Sequence, residues 1–108
     1  MEHGAVVPSL WRLEVANGFQ MAIRRKRIDA AFRDNALADL GMMAIIADAE
    51  TDANAWASTL RVADRFGLTV YDAPYLELAQ RRKLPLGSLD RALVAAARSS
   101  GVQTLGGQ

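Results

Sequence analysis

The apolar positions of this chain change period several times, and each change predicts an element. AVV at 5–7 suits a short strand. Pro8 and Ser9 then open a helix over 9–26, in which Trp11, Val15, Phe19, Ala22 and Ile23 recur at helical spacing as a buried stripe. The cations Arg24-Arg25-Lys26-Arg27 suit its end, where positive charge meets the negative pole of the helix dipole. A second helix is expected from Asp29 to Leu40, with Gly41 as a left-handed stop. MMAII at 42–46 is continuously apolar, as in a strand buried on both faces.

Asp52 to Phe66 repeats the helical pattern through Ala55, Trp56, Leu60 and Ala63, and Gly67 closes it. LTVY at 68–71 reads as a strand with β-branched residues. Ala73 to Lys83 reads as a helix with Pro74 tolerated in its first turn. LPLGSL at 84–89 is a short strand or extended segment. Asp90 caps a helix to about Ser100 that Gly101 ends, and VQTL at 102–105 suits an edge strand. Strand and helix alternate, which predicts an α/β fold with a parallel sheet flanked by helices. Ligands in such sheets bind at the carboxyl ends of strands. Asp72 and Asp90 both fall at expected strand ends.

Composition narrows the chemistry. The 108 residues suffice for one domain over 1–108, and no apolar run is long enough for a membrane span. MEHGAVVPSLW lacks the basic start of a secretory signal. No cysteine is present, which excludes disulfides, thiolate metal sites and a cysteine nucleophile, and fits a reducing cytoplasm. His3 is the only histidine, so histidine triads and zinc sites find little support. A net charge of +1 gives no global attraction to nucleic acid, so any such binding needs a local patch.

Three acids are candidates. Asp72 and Asp90 each have a structural reading as helix N-caps or first-turn acids. Capping and metal binding are compatible, because a carboxylate has two oxygens. Glu14, in WRLEVANGF, reads either as a solvated surface residue or as a polar group pointing into a cleft with Asn17, one turn on. Carboxylates from separate elements suit Mg²⁺ or Mn²⁺, which prefer oxygen ligands and need neither cysteine nor histidine. Ser88 offers a hydroxyl to such a site or satisfies a turn. The basic runs Arg24–Arg27 and Arg81–Lys83 read as helix ends that complement the dipole, or as contacts for RNA phosphates. Aromatic residues are too sparse for base stacking.

VPSLWRLEVANGF (7–19), LTVYDAPYLELAQRRKLPLGSLDRAL (68–93) and AAARSSGVQTLG (95–106) together resemble VapC-like PIN-domain ribonucleases, the toxin members of bacterial toxin–antitoxin pairs. The resemblance runs from about residue 6 to 106. It implies a PIN-like α/β domain, RNA cleavage with Mg²⁺ or Mn²⁺, a homodimer and a cognate antitoxin. The glutamate of the family's LW-x-x-E-V-x-N motif falls on Glu14 and the aspartate of Y-D-A-x-Y-L on Asp72. The acid of L-[TS]-x-D falls on Asp90, accompanied by Ser88.

One departure goes with the match. The family begins with a strand carrying an aspartate, in the middle of the sheet. No aspartate precedes Glu14, and Glu2 lacks the matching context. A late start codon, a shortened gene, and a chain that repairs its sheet with a second copy each account for this. The expectation is dimerisation with a weakened metal site, since unpaired interior strand edges demand cover. An active metal-dependent endoribonuclease is therefore weighed against a weak or inactive PIN-like protein that dimerises or binds antitoxin. An unrelated α/β domain, whose acids are caps and surface residues, is the third reading.

Overall fold

The computed structural model describes residues 5–88 and 90–105. Glu2, His3 and Leu89, named above, lie outside them. The chain divides into two compact units, one ending at Ala47 and the other beginning at Asp48.

In the first unit, β1 (Ala5–Val7) pairs in parallel with β2 (Ile45–Ala47), Val6 opposite Ile46. Parallel strands need a crossover, and here it is two helices, α1 (Trp11–Arg24) and α2 (Ala30–Gly41). Asp29 starts α2 by accepting a 2.8 Å hydrogen bond from the Phe32 N–H. The stripe Trp11, Val15, Phe19, Ala22 and Ile23 is half-buried, and neither helix has a fully buried residue.

In the second unit, α3 (Thr51–Asn54) and α4 (Ser58–Phe66) lead to α5 (Ala73–Arg82), then β3 (Leu86–Gly87), α6 (Arg91–Ser99) and β4 (Thr104–Leu105). β3 and β4 pair in parallel, Leu86 opposite Thr104, with α6 as the crossover. The unit is built around α5, which touches α4, α6 and β3. Ala73 and Leu76 are fully enclosed, and they join Val62, Leu68, Ala79, Leu86, Leu93 and Ala97 in one core cluster. Small residues at 73, 79, 96 and 97 let α5 and α6 approach closely, and the leucines fill the remaining space. Truncating Leu76 to alanine would open a cavity at the centre, at a cost of about 2–5 kcal/mol.

The structure corrects the sequence reading at five places. The strands form two separate two-stranded sheets rather than one. LTVY is not a strand. The Thr69 carbonyl accepts from Ala73 N–H and its hydroxyl accepts from Asp72 N–H, so local bonds turn the backbone into α5 despite the β-branched side chains. MMAII is not buried on both faces: β2 starts only at Ile45, and Met42 is 87% exposed. Gly41 ends no helix in a left-handed conformation; it lies within α2, which closes through bonds from Met42 and Met43 N–H to Asp39 and Leu40 carbonyls. The helix expected over 52–66 breaks after Asn54, whose side chain donates to the Glu50 carbonyl, and Trp56 at the break is 93% exposed.

The helix stops at Gly67 and Gly101 follow the expected pattern. Gly67 takes φ +66° and Gly101 φ +81°, both left-handed. Lys83 closes α5 at φ +55°, and Lys26, just after α1, has φ +58°. Lysine thus stands at both basic helix ends in a conformation that favours glycine.

Candidate functional site

Asp72 occupies the position before α5. The sequence offers it as a cap, but its side chain caps nothing. Thr69 takes that role, its hydroxyl accepting from Asp72 N–H at 3.0 Å. The Asp72 carboxylate is half-buried and makes no hydrogen bond or ion pair among the described residues. Ala73 and Pro74 behind it are buried, which fixes the backbone from which it projects.

Asp90 is exposed and does cap its helix, Oδ1 accepting from Leu93 N–H at 2.9 Å. Ser88 serves the turn: its hydroxyl accepts from Asp90 N–H at 3.0 Å. Asp90 stands where the sequence reading expected it, beyond a strand and capping a helix, and Asp72 does not. Asp72 follows a turn rather than a strand, and Asp90 follows β3 after a two-residue step. Glu14 is half-buried in the first turn of α1. Asn17, one turn on, is exposed and donates to the Met21 sulfur at 3.7 Å.

Among the described residues, no three Asp, Glu, His or Cys side chains are gathered as a metal cage. The donor type nonetheless fits a hard divalent cation. Mg²⁺ retains most of its water and is commonly held through one or two carboxylates plus substrate phosphate. Asp72, whose side chain caps nothing among the described residues, and Asp90, whose Oδ1 caps α6, each carry the oxygen donors such an ion takes.

The most organised charge cluster in the second unit was missed by the sequence reading. Asp48, 3% exposed, receives both terminal nitrogens of Arg81, at 2.6 and 3.2 Å. The same guanidinium binds Glu77, one turn earlier on α5 and also buried, at 2.8 and 3.0 Å. The Thr51 hydroxyl donates to Asp48 at 2.8 Å and Arg82 lies 3.6 Å away. The hydrogen bonds from Arg81 hold Asp48 below its ordinary pKa, Thr51 helps, and burial works against them. Arg81 is pushed up, first by Glu77 and then by Asp48, and is permanently charged. The Glu77–Arg81 spacing is legible in sequence as an i,i+4 pair; the third member is 33 residues away and carries no local signal.

Among the described residues, each unit has a cleft lined by its own residues alone. One, about 240 Å³, lies between α1, α2 and β2 and is mostly apolar, with Trp11, Val15, Leu37, Leu40 and Ile45. The other, about 380 Å³, lies at the carboxyl ends of α5 and α6, with Lys83, Pro85, Ser100 and Gln103.

No protein family, curated protein or solved structure matches this chain. The fold itself is mixed α/β, mostly helical, with short parallel strand pairs. Among the described residues no helix is long and apolar enough to cross a membrane.

Proposed function

We propose that this chain is a PIN-like, metal-dependent endoribonuclease of the toxin–antitoxin type, with Asp72 and Asp90 as ligands of Mg²⁺ or Mn²⁺. One observation carries the reading. The Asp72 carboxylate caps nothing and pairs with nothing among the described residues, although it sits at a position where an aspartate ordinarily caps. A helix start supplied by Thr69 leaves Asp72 available for a ligand.

When bound, the metal would supply an activated water and neutralise charge on the phosphodiester. The chain's own residues do the rest. Asp72 presents its carboxylate from a backbone fixed by buried Ala73 and Pro74. Asp90 is held by its own cap bond, which directs one oxygen to Leu93 N–H and leaves the other for the ion. Ser88 fixes the turn that sets Asp90 in place.

The non-catalytic reading, a PIN-like protein that dimerises or binds antitoxin, draws on a different observation. The helices of the first unit have no fully buried residue, and Met42, Met43 and Ile46 are exposed around β2. A second copy or an antitoxin covering this surface accounts for their apolar character. Cleavage of a mixed RNA pool in Mn²⁺, lost in Asp72→Asn, supports the enzyme. Full-strength cleavage by Asp72→Asn overturns it, and a concentration-dependent mass in light scattering without cleavage favours the interaction protein.

A further inference from the structure

The sequence contains two basic runs of similar appearance, and the structure separates them. In Arg81-Arg82-Lys83, Arg81 is taken by Asp48 and Glu77, and Arg82 lies 3.6 Å from Asp48. In Arg24-Arg25-Lys26-Arg27 all four residues are exposed, and among the described residues none makes an ion pair or side-chain hydrogen bond. The nearest following acid, Asp29, already accepts from Phe32 N–H. Four consecutive cations thus stand together uncompensated in a chain whose net charge is only +1.

The turn that carries them is well defined. Arg27 N–H reaches back to the Ala22 carbonyl and Lys26 N–H to that of Ile23, both at 2.9 Å. This pair of bonds is a Schellman closure, which needs a left-handed residue before the last donor. Lys26 fills that place at φ +58°, as Lys83 does at the end of α5, whereas α4, whose end carries no such run, uses Gly67. A cation therefore stands where the backbone favours glycine.

We propose that the turn Arg24–Arg27 is a contact for the phosphate backbone of RNA, a role that rests on the ribonuclease reading and extends it to substrate binding. Three of the four side chains are arginines, whose planar guanidinium pairs with phosphate through two parallel bonds. The turn offers no apolar wedge of the kind that seats a basic segment in a bilayer, since all four residues are cations and Ile28 is half-buried. Sparse aromatic residues make the contact electrostatic and indifferent to sequence.

The test is fluorescence anisotropy of a labelled twelve-nucleotide oligouridine, with EDTA present, across a KCl series. Arg25→Gln/Arg27→Gln is compared with Arg61→Gln/Arg65→Gln, which removes the same charge from α4. Each phosphate contact to a single strand contributes about 0.7 to the slope of log affinity against log salt. The first pair is expected to lower that slope by about 1.4 and the second by less than half as much. Equal losses in the two pairs, or none in the first, overturn the proposal. So does tighter binding of the turn to phosphatidylserine vesicles than to the oligonucleotide, or to a polyglutamate peptide. Cleavage in Mn²⁺ is scored separately. A turn variant that binds and cleaves as the parent does sinks only this proposal, and slope loss without any cleavage sinks only the enzyme.

Discussion

Arg81 holds Asp48 through two parallel hydrogen bonds across 33 residues of chain, and the same guanidinium holds Glu77. The start of the second unit is thereby fastened to its central helix. Both carboxylates are nearly sealed from solvent, so they depend on Arg81 for compensation. Arg81→Met should destabilise the protein by about 3–5 kcal/mol, because it leaves two buried carboxylates without a partner. The Asp48→Asn/Arg81→Met double variant should recover part of that loss. Urea denaturation of the four proteins in the cycle measures both.

The same pair sets a pH dependence. Asp48 has a depressed pKa in the folded state, so its contribution to stability is full above the unfolded value, about 4, and is lost as pH falls through the lower folded value. Parent and Asp48→Asn should therefore differ most in stability at pH 5 and above, and converge as pH drops below about 4. A difference that stays constant from pH 6 to pH 2.5 would show that the Asp48 charge is not what Arg81 stabilises.

Asp72 and Asp90 should separate in their effect on stability. Asp90→Ala removes a cap bond and should cost about 1 kcal/mol. Asp72→Ala removes no described bond and should stay within about 0.5 kcal/mol of the parent. Thermal unfolding in EDTA gives both values without any metal contribution. A large loss on Asp72→Ala would reveal a structural duty for that acid.

Backbone conformation gives a further check. A Cβ at Gly67 would meet no atom within 4 Å, so Gly67→Ala tests its left-handed φ alone and should cost about 1 kcal/mol. Lys83→Gly, at nearly the same φ, should be neutral or stabilising, since lost dipole complementation offsets part of the relief. Chemical denaturation of both variants reads the two opposite signs.

Thr59 is a buried residue of α4 whose hydroxyl has no hydrogen-bond partner among the described residues. Val keeps the shape and removes the unsatisfied group, so Thr59→Val should be neutral or more stable by up to about 1 kcal/mol. A loss above 1 kcal/mol in equilibrium unfolding would mean that the hydroxyl is bonded in solution.

The features legible in sequence were those fixed by neighbours in the chain. Asp90 as a cap, Pro74 in a first turn, and Gly67 and Gly101 as helix stops are all set within four residues, and the structure has them so. What failed depended on partners farther away or on competing local bonds. LTVY has strand composition, yet Thr69 bends it into α5. MMAII is apolar, but apolar character alone does not specify cover, and Met42 stands exposed. The Asp48–Arg81 lock joins residues too distant for any periodicity to connect. Of the candidate acids, the residue types were visible, but the decisive difference was not: Asp90 caps its helix and Asp72 does not.

A calorimetric titration of the chain with Mn²⁺, alongside Asp72→Ala and Asp90→Ala, tests the central claim most directly. The account predicts binding by the parent that both substitutions abolish while the fold, followed by circular dichroism, is retained. No heat at millimolar Mn²⁺, or binding that persists in both variants, would contradict a metal site built on these two acids.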